Sequence, residues 1–211
     1  YDVESHCSFT DSLVYGDTYM ETFPAWTPDG KNLYFTRAQG YKKGMALDSI
    51  RYDLCRISFD ASTEKIGAPE MVLQASAEQK SISFPCVSPN GKYLMFTLSD
   101  YGNFSIWHPE SDLYIMDLTT GTTKNLENVN SSDVDSYHTW SSSGHWFVFS
   151  SKRMDGLWAR PYIAAFNPET GETGKAFLLP QEDPMFYDNY TYTYNRPELI
   201  KTAVKNGKEF E

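Results

Sequence analysis

Asp135 and His138, three residues apart, are the pair in this sequence whose types and spacing best suit chemistry. An imidazole titrates near neutral pH and ligates divalent metals, and a carboxylate close by can share the cation or orient the ring. Tyr137 lies beside them, and the plain alternative for His138 is a hydrogen-bonded histidine with no ligand. A second group is cationic and aromatic. Arg160, with Lys152 and Arg153, makes a small basic spot on an acidic chain, or else a solvated loop. Tyr190 and Tyr192, followed by Tyr194, alternate at period two, which predicts one face of a strand. Such a face stacks on sugars or peptides; the competing expectation is a tail packed along the domain edge. Asp135, Tyr137, His138, Arg160, Tyr190 and Tyr192 are therefore the candidate binding residues.

No catalytic residue is assigned. The sequence has no G-x-S-x-G nucleophile elbow, no P-loop, no dinucleotide-binding glycine pattern and no H-E-x-x-H. No cofactor is expected, with a divalent metal at His138 as the alternative.

The elements that position these residues follow from a repeat. Residues 23–36 (FPAWTPDGKNLYFT), 84–97 (FPCVSPNGKYLMFT) and 137–150 (YHTWSSSGHWFVFS) align, so that Trp26, Val87 and Trp140 correspond, as do Phe35, Phe96 and Phe149. His138 falls where the other two segments carry Pro24 and Pro85, which argues against a repeated histidine cluster. Pro28 and Pro89 pre-set φ for a first turn corner, Asp29 and Asn90 suit the second, and glycine follows where φ must turn positive. The residues after each corner alternate as half-buried strands do. A third strand follows in each unit (53–59, 112–118, 160–166), then a short fourth (70–74, 123–126, 176–179). Four antiparallel strands repeated at this period predict an all-β fold, a β-propeller of four-stranded blades.

The expected blades are 20–76, 81–130 and 135–181, with a tail over 182–211. About three blades are too few to close a ring, so the chain reads as the C-terminal part of a larger propeller. Residues 8–20 are expected to supply a last strand of a preceding blade; missing blades, a second copy, or a fourth blade built from both termini would complete the ring. The opening on Tyr1, without an apolar leader, reads as a trimmed or excised product.

The corners Trp26-Thr-Pro-Asp-Gly-Lys and Val87-Ser-Pro-Asn-Gly-Lys resemble the W-S-P-D-G-K signature of WD40-like PD40 repeats, as in TolB-like propellers. The stretch 111–126 resembles that family's outer strands. The third unit departs, with Ser142-Ser143 replacing Pro-Asp. The resemblance implies a periplasmic or otherwise extracytoplasmic setting and a non-enzymatic scaffold binding a protein or peptide. Oligogalacturonate lyases, which hold a metal with propeller histidines, supply the alternative of a lyase or hydrolase acting on oligosaccharide or peptide. A regulatory propeller of a multidomain protein is the third reading.

Composition narrows the partners. With 28 acidic against 18 basic residues, a formal charge of −10 and no basic cluster, nucleic acid is not expected. No run of 18 apolar residues exists, so membrane insertion by a helix is not expected either. Cys7, Cys55 and Cys86 lack metal-binding spacing; the last two fall within apolar strand patterns and read as buried thiols.

Overall fold

The computed structural model describes residues 3–8 and 10–202. The first sheet contains β1 (Tyr19–Trp26), β2 (Asn32–Gln39) and β3 (Asp53–Asp60), with β4 (Lys65–Ile66) and β5 (Glu70–Leu73) both pairing with β3. The second runs β6 (Ser81–Val87), β7 (Tyr93–Ser99), β8 (Asp112–Asp117), β9 (Thr123–Asn125). The third runs β10 (Asp135–Trp140), β11 (Trp146–Ser151), β12 (Arg160–Ala165), β13 (Phe177–Leu178). Every pairing is antiparallel. The sheets are successive blades of a partial propeller.

The corner between the first two strands of each blade is built the same way from different residues. Thr27 Oγ1 accepts from the Asn32 amide at 3.0 Å, and the Asp29 carboxylate accepts from the Thr27 hydroxyl and the Lys31 amide. Ser88 and Asn90 repeat this in the second blade. In the third, Ser141 Oγ accepts from the Trp146 amide at 3.1 Å, and the Ser143 hydroxyl stands in for the carboxylate. Gly30, Gly91 and Gly144 all sit near φ +70, where a Cβ is disfavoured. The loss of Pro-Asp in the third unit therefore leaves the turn unchanged.

The middle strands bury both faces, which is why β7 reads Tyr-Leu-Met-Phe without a polar interruption. Leu94 and Phe96, with Met116, pack on Tyr34 and Leu54 of the first blade. Tyr93 and Met95 point the other way and meet Phe147 and Phe149 of the third. Each fully buried Leu or Phe on these faces contributes roughly 1.5–3 kcal/mol. Among the described residues, the apolar side chains packed against the matching side of the first blade, Phe35, Cys55 and Ile57, are Val14, Leu33 and Ile66. Residues 10–18, which supply Val14, form turns rather than the expected strand of a preceding blade.

The C-terminal tail departs from the strand expected of its tyrosines. Tyr190, Tyr192 and Tyr194 do not lie on a strand: one helical turn, α1 (Phe186–Asn189), leads into irregular chain. The backbone is used differently there. The carbonyls of Tyr187 and Tyr192 accept from Arg160, and the Tyr194 amide donates to the Ala159 carbonyl at 2.9 Å, so no ladder forms. The tail then crosses the first two strands of the third blade, where Ser150 donates to the Asn195 carbonyl and Thr139 to that of Pro197.

Candidate functional site

The inner strands β1, β6 and β10 share one irregularity. The register breaks between Thr22 and Ala25, between Ser83 and Cys86, and between Ser136 and Thr139. At each break two residues oppose one on the neighbouring strand, which is a β-bulge. The first bulge residue is aromatic in all three blades and lies in the left-handed region: Phe23 at φ 54, Phe84 at φ 53, Tyr137 at φ 56. A non-glycine residue held there costs of order 1–3 kcal/mol. The bulge turns the three rings toward one another. Phe23 and Phe84 have centroids 4.1 Å apart, and Tyr137 meets Phe84 edge-on at 4.7 Å. Two such contacts return only about 0.5–1.5 kcal/mol each, less than the strain of three bulges. The stack is thus held by the sheets and is not a source of their stability.

His138, Pro24 and Pro85 are the second bulge residues. His138 is fully enclosed against the second blade. The backbone of Met95 and of Phe84 faces its ring, yet neither ring nitrogen makes a hydrogen bond of good geometry. Burial drives its pKa down to about 3, so the ring is neutral at physiological pH. Asp135 does not face it. Its buried carboxylate takes the Arg153 guanidinium and both the amide and hydroxyl of Ser131. Burial still holds the Asp135 pKa above the usual carboxylate range, against the pull of Arg153. A dyad or a metal site at His138 is therefore not assembled by these two residues. Among the described residues no group of three His, Cys, Asp or Glu is arranged to hold a metal ion.

Arg160 is also enclosed. Its two terminal nitrogens donate to Tyr192 and Tyr187 carbonyls at 3.1 and 3.2 Å, and Asp155 lies 3.6 Å away. It anchors the tail. Tyr190 stacks on Phe186 at 4.9 Å and touches Tyr192 and Tyr194, while the Tyr192 side chain remains exposed. The structure thus brings Arg160, Tyr190 and Tyr192 together at the third blade and Tyr137 into the ring stack, and leaves His138 sealed between blades.

One further surface was not singled out from the sequence. The loop between second and third strands carries at least two exposed large apolar residues in every blade: Tyr41 and Leu47 in the first, Tyr101, Phe104 and Trp107 in the second, Met154 and Leu157 in the third. Trp107 is 74% exposed and Leu47 70%. Lys152 places its ammonium 4.1 Å from the Trp107 ring centre, and Ile106 packs with Val134 and Ala159, so the second and third loops form one surface. The corners at the other end of each sheet are built from Thr, Asp, Asn, Ser, Pro, Gly, Lys and His, with exposed Trp26 and Trp146 beside the first and third. Alignment of the repeats was the available signal: in each, aromatic or apolar residues interrupt a stretch otherwise rich in Gly, Ser, Asp or Lys.

No protein-family model matches the chain, and no curated protein sequence does. Among solved structures, an oligogalacturonate lyase in complex with manganese aligns at 12% identity and TM-score 0.52, over 77% of this chain and 43% of its own. The oligogalacturonate lyase from Vibrio parahaemolyticus aligns at 12% identity and TM-score 0.50, over 79% and 44%. The β-propeller domain of the Trilobed protease from Pyrococcus furiosus aligns at 13% identity and TM-score 0.45, over 78% and 44%. The chain spans less than half the length of these structures. What the likeness to the two lyases shows is the fold: antiparallel blades of a β-propeller.

Proposed function

We propose that this propeller is a binding module whose loop face engages a protein partner, with no chemistry of its own. The observation that carries the reading is the recurrence of at least two exposed large apolar side chains at the same loop of all three blades. Large exposed apolar residues grouped on one face are the usual mark of a protein contact. Trp, Tyr and Phe supply much of the energy of such contacts. The likeness of the corner sequence to PD40 propellers is the ground for taking that partner to be a protein of the cell envelope. Crosslinking of the intact protein tests the idea. A discrete adduct lost in a Trp107→Ser, Leu157→Ser double variant supports it, and an adduct unaffected by that variant removes it.

The first blade supports a second proposal. Its leading face (Phe35, Cys55, Ile57) matches the faces that pack blade on blade elsewhere. Such a face takes a further propeller blade, from the same polypeptide or from a second copy. Molar mass and small-angle scattering in solution separate the two sources.

A lyase or hydrolase acting in the channel remains the competing reading. It needs acid and base groups facing the substrate, whereas His138 and Asp135 are both enclosed.

A further inference from the structure

Beside the ring stack runs a groove of about 500 Å³ along the inner strands of the first two blades. Its floor is Phe23, Pro24 and Ala25 on β1 with Phe84, Pro85 and Cys86 on β6. The tail brings one charge to it, Arg196, which is exposed and makes no hydrogen bond or ion pair among the described residues. Among the described residues no carboxylate lines the groove. The other tail charge felt at the Cys86 thiol, Glu198, acts there more weakly than Arg196 does.

An aromatic and proline floor beside a single unpaired guanidinium selects by charge and by shape. Sugars fit poorly, because among the described residues the lining offers, besides Arg196, the Thr22 hydroxyl, the Trp26 indole N–H and the Cys86 thiol, and a pyranose would leave several hydroxyls unpaired. The C-terminal residue of a peptide fits well. It carries a carboxylate and an apolar side chain on the same Cα, the first for Arg196 and the second for the rings. We propose that this groove binds the free C-terminus of a peptide, with its carboxylate on Arg196 and an aromatic or branched apolar last side chain on Phe23 and Phe84. The proposal deepens the protein-binding reading and rests on it, but uses different residues from the loop face. It also gives the strained bulges a use, since only the left-handed turn at Phe23 and Phe84 directs both rings to the same place.

The test is calorimetry on the whole chain with acetyl-Gly-Gly-Phe as free acid, the same peptide as C-terminal amide, and cellotetraose. The free acid should bind about tenfold tighter than the amide, the effect of one charge-assisted contact. Arg196→Gln, at an exposed position, should abolish that preference without changing the melting temperature. Phe84→Gly should lose binding, and glycine accepts the positive φ without strain. Equal binding of acid and amide overturns the proposal. So does cellotetraose binding more tightly than the free acid, or the absence of heat from either peptide at millimolar concentration. Trp107→Ser separates the two readings. It should leave peptide binding intact while disrupting the loop-face contact, so loss of a crosslinked partner without peptide binding defeats the groove alone.

Discussion

The indole of Trp140 donates to the Cys86 carbonyl at 3.1 Å, joining the third blade to the second. Trp26 holds the same place in the first blade and is 51% exposed, touching Phe59 within its own sheet. The same residue in the same local structure is thus a blade-to-blade fastener in one case and a bare edge in the other. Trp140→Phe should cost about 1–2 kcal/mol in urea unfolding, for a lost hydrogen bond and an orphaned carbonyl. Trp26→Phe should cost less than about 0.5 kcal/mol in this chain. Similar costs for the two would mean that the leading face is already covered in solution.

His138 predicts a pH dependence whose sign is fixed by burial. Its folded pKa, about 3, lies below the ordinary 6.5, so the unfolded chain binds more protons between those values. Stability should be fully present above pH 6.5 and fall as pH drops toward 3, by up to about 5 kcal/mol from this group. His138→Pro restores the residue of the other two blades and should flatten that fall. Denaturant midpoints measured at pH 7.5 and pH 5 decide it; identical pH slopes for variant and parent contradict the account.

Arg160 anchors the tail through two backbone carbonyls. Arg160→Met should keep the buried stem but release those groups, at a cost of about 1–3 kcal/mol. Amide exchange should quicken at Tyr194, whose partner is the Ala159 carbonyl, before it quickens in β11. Uniform quickening across the third blade would show that the tail is no separate unit.

The third corner can be improved by its own repeats. Since Gly144 and Ser141 already hold the same turn as Gly30 and Thr27, Ser142→Pro with Ser143→Asp should stabilise by about 0.5–1 kcal/mol. A loss of stability would mean that the three turns differ in ways their hydrogen bonds do not reveal.

How much of this was legible in the sequence depended on the physics of each feature. The corners were, because proline, a small polar residue and glycine answer to backbone torsions alone. So were the strands after them, because burial on a pleat has period two. The bulges were not. Aromatic residues rarely adopt positive φ, and nothing in Phe23-Pro or Tyr137-His announces a conformation imposed by the sheet. The tail misled for a related reason: alternating tyrosines match a strand, but Arg160, far off in sequence, claims the carbonyls a strand would use. His138 was visible as a residue and illegible as a site, because its enclosure depends on the neighbouring blade.

The loop face is the centre of the functional account, and a photo-crosslinking residue tests it in the intact protein in its native cell. Placed at Trp107, it should give one discrete protein adduct. Placed at Lys31, on a corner at the opposite end of the blades, it should give none. No adduct from position 107, or equal adducts from both positions, would contradict the assignment of that face as the binding surface.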